Sequence, residues 1–389
     1  MRTLLFTLEY QPFKGGVANY YNNLVKFWPK PNNIFVLSDT EKLLNKRIIP
    51  VWLPAIWQLF KAIKKYKIDR VIVGQILPLG TVAYFLSFFL SFKYDIVFHG
   101  MDFSFACKQE RKKKLMFKIL KKANFIICAN SYTAELIKKE DLKLSGKIKV
   151  VNPGVDPQAV ITKQDKVQEI KNKYQNSIII LSAGRLVKRK GFDLVMKALS
   201  EVIKKTNQKI VYLIIGEGEE KENLEKTKKE ILDEIAKITE RNKTNNGNSL
   251  DEKKANGNYT NNKNYLNIEL LGSVSEEDKW QYFQACDIFI MTSRDLSGDF
   301  EGFGIVYLEA NLVGKPVVAG KAGGVPEAVV NNVNGLLIDS ENNKEIIDSL
   351  VTLIQDQSLR EKLGRQGRER VLQDFSWQNK VKEFYDGLK

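Results

Sequence analysis

The sequence predicts an α/β protein of two domains, each a parallel sheet covered by helices. Three observations point there: the length of the chain, an alternation of short β-rich runs with longer helical patterns, and a proline- and glycine-bearing break between two groups of runs. At 389 residues the chain exceeds the roughly 250–300 at which one hydrophobic core stops growing, so two cores are expected. The β-rich runs fall at 3–8, 33–37, 70–73, 94–98 and 125–129, then at 177–183, 210–215, 268–271, 288–292 and 316–319. Helical spacing lies between them, and that alternation builds parallel sheets because parallel neighbours need a crossover connection. Residues 150–157, with two prolines and a glycine, mark the junction. The expected division is 1–157, 158–365 and a terminal helix over 366–389 that packs back toward the first domain.

Composition narrows the function classes. Apolar residues at 43% and charged residues at 28% are those of a folded, water-soluble chain rather than a disordered or membrane-spanning one. The net charge of +15 is not evenly spread: residues 1–160 hold 26 Lys and Arg against 11 Asp and Glu, and the remainder 35 against 35. A polyanionic partner for the first domain alone, an anionic membrane surface or a nucleic acid, fits that asymmetry; an abundance of lysine would produce it too. Cys107, Cys128 and Cys286 have neither metal-type spacing nor the number for a disulfide framework, which points to a reducing cytosol. The apolar start over 3–8 is too short for a signal-peptide core. The apolar run 82–92 is 11 residues long, against the ~20 that span a bilayer, and reads as a buried helix.

In chain order, the first functional feature is QPFKGGVANY at 11–20, with Gly15 and Gly16 between the first strand and first helix, the ligand edge of a doubly wound sheet. FHGMD at 98–102 places His99, the sole histidine, at a strand's carboxyl end. A lone histidine is usually structural; the adjacent glycine and strand end make a functional role comparable in weight. KQERKKKLMFKILKK at 108–122 carries eight basic residues and one acidic. On a helix, Leu115, Met116, Ile119 and Leu120 form an apolar stripe beside a cationic face, the pattern of an interfacial helix or of a surface helix packed on its own sheet.

AGRLVKRKG at 183–191 sets Gly184, Arg185 and Lys190 after a predicted strand, where a guanidinium fork and an ammonium suit a diphosphate. A solvated loop would accommodate Lys188, Arg189 and Lys190 equally. Residues 240–264, with nine Asn among 25, read as a mobile loop without a catalytic role. EGFGIVYLEA at 301–310 is a strand-to-helix turn in which Gly302 and Gly304 permit close approach. A helix starting near Phe303 would offer its amides to phosphate. Glu309, about two turns along that helix, could accept from ribose hydroxyls, leaving Glu301 to face a sugar.

Together these segments resemble the retaining glycosyltransferases with two facing Rossmann-like domains and an interdomain cleft, the GT-B architecture, family 4 (group 1). The matching elements are GGVANY, FHGMD, NPGVD (152–156), AGRLVKRKG, GEG (216–218), EGFGIVYLEA, GKPVVAGKAGGVPEAV (314–329) and NGLL (334–337). The resemblance implies that Arg185 and Lys190 grip the diphosphate, with Gly184 and Gly216 beside them. It implies that Glu309 binds ribose and Glu301 the sugar, that amides of Phe303, Gly304 and Ile305 face sugar and phosphates, that His99 lies beside the reacting face, and that Gly16 approaches the diphosphate. Glu327 matches the acid of the GGxPE element, and packing around Gly272 and Val274 bears on the choice of base.

No Asp-x-Asp triplet occurs, so Arg185, Lys190 and helix amides are expected to stabilise the departing diphosphate with no metal or other cofactor. The stretch SRDLSGDFEGFGIVYLEA looks most like enzymes that mannosylate phosphatidylinositol-type lipids with GDP-mannose. A lipid-linked or glycan acceptor follows, met at the cytosolic membrane face through residues 105–122, as does a peripheral cytoplasmic location. A UDP-sugar hexosyltransferase of polysaccharide or glycolipid synthesis is the alternative. A nucleic-acid-binding role leaves the glycine turns and paired glutamates unexplained, and an epimerase or phosphorylase on the same architecture lacks the acid–base or pyridoxal context.

Overall fold

The structure, a computed structural model, describes residues 1–13, 15–45, 47–245 and 265–389. The chain forms two compact units: Met1–Asp156, Asp295–Ile305 and Asp374–Lys389 in one, Pro157–Arg294 and Val306–Gln373 in the other.

The first unit opens with β1 (Thr3–Phe6), α1 (Gly16–Lys26), β2 (Ile34–Leu37), α2 (Leu53–Tyr66), β3 (Arg70–Val73) and α3 (Leu79–Leu86). It continues with β4 (Lys93–Phe98), α4 (Met101–Cys107), α5 (Glu110–Lys122), β5 (Ile126–Cys128), α6 (Ser131–Glu140) and β6 (Ile148–Val150). The strands form one parallel sheet, ordered β2-β1-β3-β4-β5-β6. Every residue of β1 and β3 is buried, because helices cover both faces and an unbroken apolar run is then stable as a strand. α2, α3, α5 and α6 supply Leu59, Val82, Ile119 and Ile137 to one face. The other is covered by Tyr21 and Leu24 of α1 and by Phe384 and Leu388 from the chain's end. Between β3 and β4, Arg70 Nη1 donates to Asp95 Oδ2 at 3.0 Å, a buried ion pair in an otherwise apolar layer.

The second unit begins with α7 (Gln164–Lys173), β7 (Ser177–Ala183), α8 (Phe192–Thr206), β8 (Lys209–Ile215), α9 (Lys221–Asn245) and β9 (Leu266–Gly272). α10 (Glu276–Ala285), β10 (Ile288–Met291), α11 (Ile305–Leu312), β11 (Val317–Gly320), α12 (Val325–Ala328) and β12 (Gly335–Ile338) follow, with Ile305 belonging to the first unit. α13 (Asn343–Gln355) and α14 (Gln357–Asp374) come next, and α15 (Trp377–Gly387) ends the chain in the first unit. This sheet is ordered β12-β11-β10-β7-β8-β9, again parallel throughout. Gly335, Leu336 and Leu337 of the NGLL segment open β12, and Asn334 just before the strand, fully buried, donates to Asn311 Oδ1 at 2.7 Å and Ala328 O at 2.9 Å. That asparagine satisfies buried backbone and side-chain groups where α11, α12 and β12 meet.

Several expectations change. The short strands β6 and β12 were not read from the sequence. The apolar run 82–92 is not one buried helix: α3 stops at Leu86, burying Val82, Ala83 and Leu86 but leaving Phe85, Phe88 and Phe89 exposed. The basic segment 108–122 follows α4 and forms α5 from Glu110, and its stripe points inward, with Met116, Ile119 and Leu120 at 0% exposure in the sheet's core and Leu115 packed against it. Only the cationic face of α5 reaches solvent. Of the expected 240–264 loop, residues 240–245 belong to α9, and 246–264 lie outside the described residues. Residues 366–389 are two helices rather than one, α14 ending at Asp374 and α15 starting at Trp377.

Candidate functional site

In the second unit β7, β8 and β9 lie side by side and each meets a glycine at its carboxyl end: Gly184, Gly216 and Gly272. The ladder runs through these glycines, Gly184 N–H donating to Ile215 O and Gly216 N–H to Gly272 O, both at 2.9 Å. Gly216, at φ +145°, has no room for a side chain, since a Cβ would stand 1.9 Å from Gly184 O. Three neighbouring strand ends thus carry half-buried backbone without side chains, which permits close approach by a ligand.

The turn after β7 runs Lys188–Lys190 into α8. Arg185 and Lys188 are exposed while Arg189 and Lys190 are buried, so this is not a uniformly solvated basic loop. Lys190 Nζ lies 3.7 Å from where a Cβ of Gly184 would be, placing the ammonium beside the bare end of β7. Two hydrogen bonds tie the turn to the end of β10: Thr292 Oγ1 donates to Gly191 O at 2.8 Å and Arg294 N–H to Arg189 O at 2.8 Å. β7 and β10 are the neighbours at which the strand order reverses, the position where open α/β sheets bind ligands.

Glu309 is buried on α11, and Lys279 of α10 donates to its Oε1 at 3.0 Å while also pairing with Glu276 at 2.8 Å. Burial pulls the Lys279 pKa down, but the two carboxylates outweigh it and hold the ammonium above its usual range. Lys279 was missed in the sequence because, three residues after Glu276, it reads as half of a surface pair. α11 starts at Ile305, two residues past Phe303, and Glu301 lies in the preceding turn with Gly302, Phe303 and Gly304. Val274 is half-buried ahead of Ser275, whose hydroxyl caps α10 by accepting from Asp278 N–H. Glu327 sits on α12, where Arg370 donates to its backbone oxygen at 2.8 Å.

The Glu301 turn packs within the first unit. A Cβ on Gly302 would stand 2.3 Å from His99 O, and one on Gly100 would stand 3.0 Å from the Phe300 ring. The turn is therefore seated on the loop after β4. The Asp102 carboxylate organises that loop by accepting from Gly100 and Phe103 N–H at 3.0 Å each, although burial pushes its pKa up to about 6. Gly15 and Gly16, at the start of α1, have no other described atom within 4 Å of a notional Cβ. Among the described residues, packing does not call for their small size.

His99 is held edge-on between Tyr20 and Tyr21, ring centroids 4.9 and 5.2 Å away, with Nε2 at 2.9 Å from Tyr21 Oη. Burial raises the Tyr21 pKa well above its usual value, so the hydroxyl keeps its one proton, and that proton goes to Gly74 O at 2.9 Å. The His99 nitrogen must then be the donor, which leaves Nδ1 as an unprotonated acceptor. Burial also lowers the His99 pKa to about 4, so the ring is neutral at physiological pH. Because the chain has one histidine, ¹⁵N-histidine labelling resolves this ring alone. We expect the Nε2–H tautomer, protonation only near about pH 4, and tautomer mixing in Tyr21→Phe; equal tautomers in the wild type, or a midpoint at the ordinary 6.5, would contradict the assignment.

By unit, Gly184, Arg185, Lys190, Gly216, Gly272, Val274 and Glu309 fall in the second and Gly15, Gly16, His99, Glu301, Gly302, Phe303, Gly304 and Ile305 in the first. Among the described residues no group of three or more His, Cys, Asp or Glu is placed to hold a metal ion.

A family model described as "Glycosyl transferases group 1" matches residues 163–246 and 246–370. A GDP-mannose-dependent monoacylated alpha-(1-6)-phosphatidylinositol monomannoside mannosyltransferase of Corynebacterium glutamicum is 25% identical over 97% of this chain and 95% of its own. An uncharacterized glycosyltransferase of Methanocaldococcus jannaschii is 26% identical over 84% of this chain and 76% of its own. Among solved structures, Anabaena HepE in complex with UDP and glucose superposes with a TM-score of 0.72 at 17% identity, covering 100% of this chain and 99% of its own. The two parallel sheets are thus those of the GT-B fold, and the chain belongs to the group 1 glycosyltransferases.

Proposed function

We propose that this glycosyltransferase moves mannose from GDP-mannose, with retention of configuration, to a lipid-linked or glycan acceptor at the cytosolic face of a membrane. The observation that carries the reading is the bare glycine edge of β7, β8 and β9 with Lys190 alongside and Arg185 exposed next to it, a surface suited to a diphosphate. In transfer, the bond from the anomeric carbon to the phosphate oxygen breaks and its electron pair stays on the diphosphate. The acceptor oxygen bonds to that carbon from the same face and its proton passes to the departing phosphate oxygen. Arg185 and Lys190 meet the charge that develops there, without a metal. Glu309 takes the ribose hydroxyls and Glu301 the sugar, with neutral His99 offering Nδ1 as an acceptor to a sugar hydroxyl.

GDP-mannose is favoured by the named activities of the Corynebacterium relative and of a Mycobacterium tuberculosis mannosyltransferase. A UDP-sugar is the second reading, motivated by the UDP and glucose bound to HepE. A thermal-shift and turnover panel of GDP-mannose and UDP-hexoses, run with a lipid extract of the source cells, separates them. GDP-mannose is expected to raise the melting temperature and to label a lipid, in EDTA as well as without it. A shift and turnover with a UDP-hexose alone moves the assignment to the second reading, and activity lost in EDTA and restored by Mg²⁺ overturns the metal-free mechanism.

A further inference from the structure

α2 carries two apolar stripes. Ala55, Leu59, Ala62 and Ile63 point into the core of the first unit. Leu53, Ile56, Trp57 and Phe60 recur at the same helical spacing about a third of a turn away, and Leu53 and Trp57 are exposed, Trp57 at 57%. Between this second stripe and Leu86 of α3 lies an open pocket of about 340 Å³ lined by Leu53, Ile56, Trp57, Phe60 and Leu86 alone. α3 and the residues just after it carry three more exposed rings, Phe85 and Phe89, 5.1 Å apart with Phe89 70% exposed, and Phe88. Lys122 of α5 stands over the Phe88 ring at 3.2 Å and Lys61 over Trp57 at 4.9 Å. Lys64 and Lys65 of α2 and Lys118 and Lys121 of α5 are also exposed.

We infer that this α2–α3 surface, rather than the stripe of α5, docks the protein on an anionic lipid bilayer. Aromatic rings next to an all-apolar pocket suit the boundary between headgroups and acyl chains, and ammonium groups poised over two of those rings lie where lipid phosphates would be. The charge decides the occupant: the whole excess of +15 lies in residues 1–160, so a second copy would bring like-charged faces together, whereas an anionic membrane neutralises them. This deepens the lipid-acceptor reading without needing turnover for its test.

The test is sedimentation with vesicles of phosphatidylglycerol and phosphatidylcholine in equal parts, against pure phosphatidylcholine, for the wild type and the double variant Trp57→Ser, Phe89→Ser. The wild type is expected to bind the mixed vesicles at least tenfold more tightly than pure phosphatidylcholine and to release them in high salt. The double variant should bind at least tenfold more weakly while keeping the wild-type melting temperature and its donor-induced shift. Equal binding by variant and wild type overturns the proposal. So does a wild-type dimer that the variant dissociates, which would make the surface a self-interface, or salt-sensitive binding to DNA in place of vesicles. Vesicle binding with no transfer to lipid would uphold the surface and refute the acceptor reading instead.

Discussion

Lys190→Met is expected to lower sugar transfer by about 10²–10³-fold, the loss typical when one preorganised group facing transition-state charge is removed, a far larger effect than on the melting temperature. Lys190 is 8% exposed, and its ammonium lies beside Gly184 at the bare end of β7. Methionine keeps much of the length and the apolar stem, so the stem's packing in the turn survives while the ammonium and its interactions are lost. Lys190→Ala should lose activity to the same degree with a larger loss of stability, because the stem goes too. Steady-state kinetics with the donor identified by the panel, next to thermal melts, checks both. The effect should fall on kcat, since charge on the departing diphosphate is greatest in the transition state. Wild-type turnover in Lys190→Met would remove this residue from the mechanism.

Arg70→Met is expected to destabilise the protein by ~3–5 kcal/mol, the usual cost of stranding one member of a buried ion pair. Asp95 is 0% exposed, and even beside Arg70 and the Phe125 amide its carboxyl is pushed up to about 6, burial being the largest cause. A carboxyl raised in the folded state binds its proton more tightly folded than unfolded. Its cost is therefore absent below the unfolded value of about 4, grows as pH rises, and is complete above the folded value. Removing Arg70 lifts the folded value further, so the deficit of the variant should widen from about pH 5 to about pH 8. Urea unfolding at both pH values measures it. A deficit independent of pH would show that the loss comes from packing of the Arg70 stem and not from Asp95.

Much of this protein was legible in one dimension because the signals are local. Alternating strand and helix patterns showed parallel α/β organisation, since a strand buried on both faces must be apolar throughout. The glycines at 184 and 216 and the basic turn at 185–190 stood at strand ends by sequence alone, and those at 302 and 304 ahead of a helix. β6 and β12 escaped notice because each is an edge strand with an interrupted apolar pattern, Lys149 standing in the middle of β6 and Gly335 opening β12 directly after Asn334.

Which apolar stripe goes inward could not be read, because burial is decided by neighbours and not by periodicity. α5 and α2 both carry a stripe of helical spacing next to lysines. Met116, Ile119 and Leu120 of the first are fully covered, whereas the second stripe of α2 is covered only in part, with Leu53 and Trp57 left exposed. The Lys279–Glu309 pair joins residues 30 apart and the His99–Tyr21 hydrogen bond residues 78 apart, so neither ion pairing nor tautomer had a local signature. The sequence by itself determined the family, the placing of glycines and basic residues at strand ends and the confinement of excess charge to the first 160 residues. Only the tertiary structure decided which charges are partnered, which histidine nitrogen carries the proton and which greasy face is left to solvent, because each depends on chain segments brought together from far apart.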